Sequence, residues 1–231
     1  MLITDFDQLM TKVRELPEQR VAVAAANSVP TLQGALQALT ESVAEPVFFG
    51  DARKIEALAK NTGLDLAGAE IVDEPDDLAA VSRAVTAAAT GDCQMLMKGH
   101  VHTDDFLRTV LRKEQGLRCP DVLMSHVFIL EVRALGRLLF VTDGAMNIAP
   151  TLEQKAQIIQ NAAYLARCFG LEEPKVGAVA AVELVNPAMP WTVEAAAFAA
   201  MDRRGQVPHC VVDGPFGLDN AVSREAAELK G

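Results

Sequence analysis

The sequence predicts an α/β fold in which mostly parallel sheets are covered by helices on both faces. Half of the 231 residues are hydrophobic and only 5% are aromatic, so small aliphatic side chains dominate the core. Short apolar runs alternate with helical patterns along most of the chain, as strands and helices do in such sheets. Several of these runs end abruptly in polar residues just before a helix, where open α/β sheets hold small ligands.

The first half of the chain has the most regular alternation. Residues 4–7 suit the cap of a first helix that ends near Pro17, and Pro30 suits the first turn of the second helix. Apolar runs bounded by turn residues are read as strands. The predicted strands are 20–26, 46–50, 70–72 and 93–97, and the helices that follow them are 30–42, 51–61, 77–89 and 103–111.

The pattern changes in the second half. Two extended runs, 122–132 and 137–142, are joined so tightly that we expect them to pair antiparallel. The change near residues 116–120 predicts a boundary between an N-terminal α/β domain, 1–118, and a second α/β domain, 119–231. Beyond the paired runs, the predicted helices are 151–169, 192–203 and 220–230, and the predicted strands are 175–182 and 209–212.

Composition limits the classes of partner. The net charge of −10 argues against a nucleic-acid backbone, although a local group of donors can still bind a small anion. No apolar run approaches the ~20 residues of a membrane span, and the N-terminus lacks the pattern of a secretory signal. Four cysteines without a Cys-x-x-Cys pair suggest free thiols. We therefore expect a cytoplasmic protein that binds neither nucleic acid nor membrane.

Polar side chains follow the predicted strands at five places. Lys98 supplies a positive charge, Gly99 permits close approach of a ligand to the backbone, and the helix beginning at Thr103 points N–H groups outward. Together they predict a phosphate site, and the alternative is a surface lysine in a turn. The five groups are Lys98 with Gly99 and Thr103, Ser125 with His126, Asp143 with Asn147, Glu183 with Asn186, and Asp213 with Asn220.

Each of the other groups has a structural alternative. Glu183 suits a general base if burial raises its pKa, but it equally suits a solvated strand end. Asp143 and Asp213 are also ordinary turn residues. His126 is a candidate hydrogen-bond donor, or a core histidine that Ser125 or a backbone carbonyl pairs.

Several kinds of site lack their sequence signatures. The four histidines have no metal-binding spacing, so we expect no metal. The Gly-x-Ser-x-Gly elbow of serine hydrolases and the Gly-x-Gly-x-x-Gly turn of dinucleotide-binding proteins are both absent.

Five segments give the chain a family resemblance. In order and in register, it resembles the phosphate acyltransferases, and among them the phosphate butyryltransferases rather than the phosphate acetyltransferases. The segments are MKGHVHT (97–103), SHV (125–127), LFVTDGAMNIAP (139–150), VELVNPAMP (182–190) and VDGPFGLDNA (212–221).

The resemblance implies transfer of a short-chain acyl group between coenzyme A and inorganic phosphate, without a metal or prosthetic group. Coenzyme A is then a substrate and not a cofactor. The implied fold is a two-domain three-layer α/β/α sandwich like that of the isocitrate and isopropylmalate dehydrogenases, with the site between the domains. The implied state is a homodimer or a larger homo-oligomer.

The same chemistry suggests a role for each residue. Lys98, Gly99 and Thr103 would seat the phosphate, and His126, Asn147 and Asn186 would donate to the carbonyl or phosphate oxygens. One of three carboxylates would accept the proton of the coenzyme A thiol in the reverse direction. Those carboxylates are Glu183, Asp143 and Asp213, and Ser125 and Asn220 complete the predicted substrate contacts.

The chain also departs from the pattern of its relatives. Residues 183–190 stand where the acetyl-transferring relatives carry a Ser/Thr/Gly-rich segment, so serine and arginine roles are not transferred. The segment with which family members continue beyond residue 231 has no match here. Two alternatives follow, a truncated or degenerate relative that binds coenzyme A or phosphate without turnover, and a metal- and nicotinamide-dependent decarboxylating dehydrogenase whose signatures are missing.

Overall fold

A computed structural model describes residues 1–230 of the chain. These residues pack as two compact units. We call Met10–Pro120 the N-terminal unit, and Met1–Leu9 together with the chain from Asp121 onward the C-terminal unit. Among residues 1–230, no helix combines the length and the apolar character that crossing a bilayer requires.

The N-terminal unit is built around one parallel sheet. Its strands are β1 (Gln19–Ala24), β2 (Ala44–Gly50), β3 (Glu70–Asp73) and β4 (Met95–Lys98), in the order β3-β2-β1-β4. After α1 (Phe6–Arg14), the helices are α2 (Val29–Thr40), α3 (Ala52–Thr62), α4 (Asp77–Thr90) and α5 (Thr103–Val110). The strand order reverses at β1, so β1 and β4 meet at the point where open α/β sheets bind ligands.

The burial of the strands in the N-terminal unit explains why the sequence predicts them. Residues 21–26 are all buried, as expected of a central strand that helices cover on both faces. Side chains of β1, β2, α2 and α3 share one core that includes Val23, Phe48, Leu32 and Ile55. Asp51 caps α3 by accepting hydrogen bonds from two backbone N–H groups.

The C-terminal unit contains two small sheets. Strands β5 (Val127–Val132) and β6 (Arg137–Thr142) pair antiparallel, which confirms the prediction, and β7 (Lys175–Val179) pairs parallel with β8 (Val211–Phe216). The helices are α6 (Leu152–Cys168), α7 (Pro190–Arg203), α8 (Leu218–Val222) and α9 (Arg224–Lys230). One core joins α6, α7 and β8 through Ile159, Phe198 and Val212.

The first residues of the chain pack with the C-terminal unit. The Ile3 N–H donates to the Phe169 carbonyl oxygen at 2.9 Å, and Ile3 shares a small core with Leu138 and Phe169. A β-carbon at Gly170 would lie 2.4 Å from the Met1 carbonyl oxygen. The predicted domain 1–118 is therefore wrong for Met1–Leu9, whose partners lie more than a hundred residues away in the sequence.

Several predicted elements have different bounds. The strand predicted at 175–182 is β7, which ends at Val179. Residues 122–126 do not extend β5, and side chains of α6 take both backbone hydrogen bonds of Leu123. The strand predicted at 209–212 is β8, which begins at Val211 and runs to Phe216. The helix predicted over 220–230 is two helices, since Ser223 is extended and its hydroxyl accepts the Ala226 N–H at 3.3 Å as an N-terminal cap.

All four cysteines are free thiols, as predicted. Cys93 and Cys210 are buried, and burial raises the pKa of both thiols. Cys119 and Cys168 are exposed.

Candidate active site

Gly99 lies where β1 and β4 meet. Its N–H donates to the Ala24 carbonyl oxygen at 2.8 Å, and the His100 N–H donates to the Ala25 carbonyl oxygen at 3.0 Å. A β-carbon at Gly99 would lie 2.4 Å from both of these oxygens. The close approach of the β1 backbone therefore requires glycine here, whereas the sequence predicted that glycine permits close approach of a ligand.

Lys98 ends β4 beside the end of β1. It is exposed, pairs with Ala24 in the sheet, and its Nζ donates to the Gly99 carbonyl oxygen at 3.3 Å. Its ammonium remains open to solvent and able to bind an anion.

Thr103 is the first residue of α5, and its surroundings are less favourable for phosphate than the sequence suggested. Asp104 and Asp105 lie in the first turn of this helix. Their negative charges already interact with the positive end of the helix dipole and repel an incoming anion. The predicted phosphate seat therefore depends on Lys98 more than on α5.

Asn27 and Ser28, which follow β1 at the same strand-order reversal, are not among the residues that the sequence predicted for the site. The Asn27 Nδ2 donates to Asp77 Oδ1 at 2.9 Å, while its Oδ1 is buried and has no hydrogen-bond partner among residues 1–230. Ser28 precedes α2, and its hydroxyl lies 2.8 Å from the Thr31 hydroxyl. The available signal was a pair of polar residues directly after the most apolar strand.

Asp143 organises the end of β6. Its Oδ1 accepts the backbone N–H groups of Ala145 and Met146, both at 3.0 Å, and its Oδ2 accepts the Asn147 Nδ2 at 2.5 Å. Partial burial is the largest single influence on the Asp143 pKa and raises it. The hydrogen bonds from Met146, Ala145, Asn147 and the His126 backbone together outweigh burial, so the pKa lies below its ordinary value.

These bonds bear on two predicted roles. Asp143 is ionised, but both of its oxygens already accept hydrogen bonds, so neither is free to take the proton of a thiol. The Asn147 Nδ2 also donates to the Met124 carbonyl oxygen at 3.1 Å, so both of its N–H groups are used. The Asn147 side chain therefore holds the loop and has no spare donor for a substrate oxygen.

His126 is the group in this region with unused hydrogen-bonding capacity. Its carbonyl oxygen accepts the Thr142 hydroxyl at 2.6 Å, and its ring packs edge-on against Phe128 with 4.2 Å between ring centroids. The Nδ1 atom is buried and has no partner among residues 1–230. Ser125 does not pair it, and the Ser125 Oγ instead accepts the Asn161 Nδ2 at 2.9 Å.

Ser125 faces α6. Together with Met124, Val127 and Leu165 it lines an open cavity of about 430 Å³. The walls of this cavity are mixed, with the Ser125 hydroxyl, the Asn161 amide and the Tyr164 hydroxyl as hydrogen-bonding groups.

Glu183 belongs to a second group of side chains, gathered over Gly217. Lys230 Nζ lies 2.5 Å from Glu183 Oε1 and 2.8 Å from Asp219 Oδ1. The hydrogen bond from Lys230 is the main cause of the lowered pKa of Glu183. The sequence hypothesis required burial to raise this pKa, and the ion pair has the opposite effect.

Asn220 lies in the same group. Its backbone N–H donates to Asp219 Oδ1 at 2.9 Å, and its Oδ1 is buried without a partner among the described residues. A substrate that donates a hydrogen bond could satisfy this oxygen.

Asn186 and Asp213 shape the loops on which they lie. Asn186 Oδ1 accepts the Ala188 N–H at 3.0 Å, and its backbone N–H donates to the buried Thr192 hydroxyl at 2.8 Å. The Asn186 Nδ2 makes no hydrogen bond to residues 1–230 and is exposed, so it can still donate. Asp213 Oδ1 accepts the N–H of Gly214 at 2.9 Å in an exposed part of β8.

Comparison with known proteins shows which family this chain resembles. The family model described as Phosphate acetyl/butaryl transferase matches residues 77–231. Phosphate butyryltransferase of Clostridium beijerinckii is 44% identical over 227 residues, 98% of this chain and 75% of the relative. Phosphate acetyltransferase of Thermotoga maritima is 41% identical over 213 residues, 92% of this chain and 72% of the relative.

A solved structure agrees with these relatives. The crystal structure of a branched-chain phosphotransacylase from Enterococcus faecalis V583 superimposes with a TM-score of 0.78 at 33% identity. The match covers 92% of this chain and 73% of that one. The predicted α/β fold class is confirmed.

The parallel sheets with polar strand ends and these relatives define an enzyme of the phosphate acyltransferase type. The chain belongs to the phosphate acetyl/butaryl transferase family. Its reaction is the transfer of an acyl group between coenzyme A and phosphate.

Proposed function

We propose that this enzyme acts on short or branched acyl groups, by direct attack of phosphate on the thioester within a ternary complex. The products are an acyl phosphate and coenzyme A, and no further cofactor takes part. The observation that carries the assignment of residues is the buried, unpartnered Nδ1 of His126, next to a strand end that Asp143 holds rigid.

Direct attack has three requirements. Phosphate needs a seat, the developing oxyanion needs a donor, and the thiolate needs help in leaving. Lys98 provides the charge for the phosphate seat. His126, protonated on Nδ1, and the free amide of Asn186 are the proposed donors, and the buried Nδ1 reaches the substrate oxygen once the groups that cover it move aside.

Glu183 is the proposed proton acceptor for the reverse reaction. Both oxygens of Asp143 are engaged, whereas the Glu183 side chain is 34% exposed and is held ionised by Lys230. In that direction the coenzyme A thiol gives its proton to Glu183, sulfur bonds to the acyl carbon, and the bond from that carbon to the phosphate oxygen breaks. The departing phosphate then takes the proton from Glu183, which regenerates the carboxylate. Asp213 and Asn220 are proposed to contact substrate.

The proposed activity is tested by thiol release from acetyl-, butyryl- and isobutyryl-coenzyme A with the purified full chain. We expect release that depends on inorganic phosphate and saturates with it, and none when sulfate replaces phosphate. A folded protein that releases no thiol with any of these substrates would contradict the proposal. Calorimetric binding of coenzyme A without turnover would then identify a non-catalytic relative.

The role of His126 is tested by His126→Gln. Loss of one preorganised donor to an oxyanion is expected to lower kcat by about 10²–10³-fold, with smaller changes in KM. The matched control is His209→Gln, which replaces an exposed histidine and is expected to keep the parent activity. Equal kinetics for the two variants would remove His126 from the proposed chemistry.

The proposal also includes a cytoplasmic homodimer or larger homo-oligomer. The face of β5 and β6 that carries Phe128, Leu130 and Val141 supports association, since these side chains are 47%, 43% and 38% exposed. Light scattering of the purified protein at several concentrations measures the mass, and a monomer throughout would contradict this part.

A further inference from the structure

Lys230 bridges two carboxylates from different parts of the C-terminal unit. Glu183 lies in the loop after β7, Asp219 lies on α8, and Lys230 lies near the end of α9. The ammonium is 2.5 Å from Glu183 and 2.8 Å from Asp219. The Lys230 and Glu183 side chains are 39% and 34% exposed, so water screens this pair only partly.

The backbone at Gly217 brings these oxygens together. A β-carbon there would lie 2.8 Å from Glu183 Oε1, 2.9 Å from Asp219 Oδ1 and 3.2 Å from Asn220 Oδ1. Three side-chain oxygens thus converge over one residue that has no side chain. Without a cation, two of them would be neighbouring carboxylates whose negative charges repel.

Among residues 1–230, Lys230 is the single cation that forms an ion pair with Glu183 or Asp219. Lys230 contacts both Glu183 and Asp219, whereas Arg224, the other cation of α9, pairs with Glu228 on its own helix. Lys230 and Asp219 are also the charged groups that act on Glu183. The orientation and charge of Glu183 therefore depend on Lys230.

We infer that Lys230 is a positioning residue for the acyl transfer, which holds the Glu183 carboxylate ionised and directed toward the substrate while Asp219 anchors the ammonium. This inference rests on the proposed function, in which Glu183 accepts the thiol proton. Lys230 itself contacts no reacting atom. Its contribution is to keep Glu183 charged at a pH where a pair of unshielded carboxylates would begin to share a proton.

The two charged neighbours of Glu183, Lys230 and Asp219, decide the direction in which each substitution moves its pKa. Removing the ammonium leaves Glu183 beside Asp219 alone, which raises the pKa of Glu183. Removing the Asp219 charge leaves Glu183 beside the ammonium alone, which lowers the pKa of Glu183 further. The acid limb of the rate profile is therefore expected to move in opposite directions in the two variants.

The experiment measures kcat against pH in the direction of acyl-coenzyme A formation for the parent, Lys230→Met, Asp219→Asn and Lys230→Arg. The acid limb is expected to move to higher pH in Lys230→Met and to lower pH in Asp219→Asn. Lys230→Arg, which keeps the charge, is expected to restore most of the parent profile. Arg224→Met, on the exposed face of α9, is the matched control and is expected to leave the profile unchanged.

The outcomes separate this inference from the proposed function. An active parent whose acid limb is unmoved in both Lys230→Met and Asp219→Asn would overturn the role of Lys230 and leave the reaction intact. An inactive, folded parent would overturn the proposed function itself. If Lys230→Met fails to fold, the acid limb of Asp219→Asn still tests the inference. A shift of that limb to lower pH supports the role of Lys230, and a shift to higher pH contradicts it.

Discussion

Replacing Gly99 with alanine is expected to lower the free energy of unfolding by about 1–3 kcal/mol, the usual cost of overpacking a well-packed site. The new methyl group would lie 2.4 Å from the carbonyl oxygens of Ala24 and Ala25. Both contacts are with backbone atoms, so no side-chain rotation relieves them. Separation of β4 from β1 would also stretch the hydrogen bonds that Gly99 and His100 donate to these oxygens.

The matched control for this prediction is Gly34→Ala. A β-carbon there would meet only the flexible end of Met97, at an ordinary distance of 3.7 Å. Since Gly34 lies inside α2, alanine is expected to stabilise the protein by up to about 1 kcal/mol. Urea unfolding of the two variants measures the difference, and equal stability would contradict the account of Gly99.

Displacement of Gly99 should also move Lys98, the adjacent residue. We therefore expect the KM for phosphate to rise in Gly99→Ala by more than the KM for acyl-coenzyme A. Parallel changes in the two constants would show that Lys98 is not specific to the phosphate seat.

The fold was largely predictable because its central strands are covered on both faces. Residues 21–26 form an unbroken apolar run, and such a run followed by a proline-initiated helix allows few other interpretations. Prediction failed where hydrogen bonds are made over long sequence distances. Residues 122–126 look like a strand, but Leu123 bonds to the side chains of Gln157 and Asn161, and no local pattern records this.

The candidate site was predictable in its residue types and much less in its pairings. The sequence identified Glu183 as a carboxylate at a strand end, but the sign of its pKa shift depends on Lys230, 47 residues away. Asn147 was read as a donor, and both of its N–H groups are used by Asp143 and the Met124 carbonyl. Chemical identity is local, whereas spare hydrogen-bonding capacity depends on the folded neighbours.

Asp143→Asn tests whether the loop after β6 must be held by a charged acceptor. The carboxylate receives hydrogen bonds from Ala145, Met146 and Asn147, and an amide in its place presents an N–H group to at least one of these donors. We expect the free energy of unfolding to fall by about 1.5–3 kcal/mol, the range for a hydrogen bond to a charged group. We also expect a fall in kcat, since His126 is tied to the same loop by the Thr142 hydroxyl.

The pH dependence of the stability lost in Asp143→Asn gives a second measurement. The folded-state pKa of Asp143 lies below its unfolded value. Its ionised form therefore contributes stability that is complete above the ordinary aspartate pKa of about 3.9 and is lost as pH falls through the lower folded value. The stability difference between the parent and Asp143→Asn should accordingly be constant near neutral pH and shrink in acid.

Asp65→Asn is the control for both measurements, because Asp65 is exposed and accepts a single turn hydrogen bond, from the Ala67 N–H at 2.9 Å. Its substitution is expected to change stability by no more than about 0.5 kcal/mol, as surface changes usually do, and to leave kcat unchanged. If Asp143→Asn is no more destabilising than Asp65→Asn, the charge of Asp143 is not what holds the loop. His126 would then be positioned by β5, by its contact with Phe128 and by the Thr142 hydroxyl, without a contribution from the Asp143 charge.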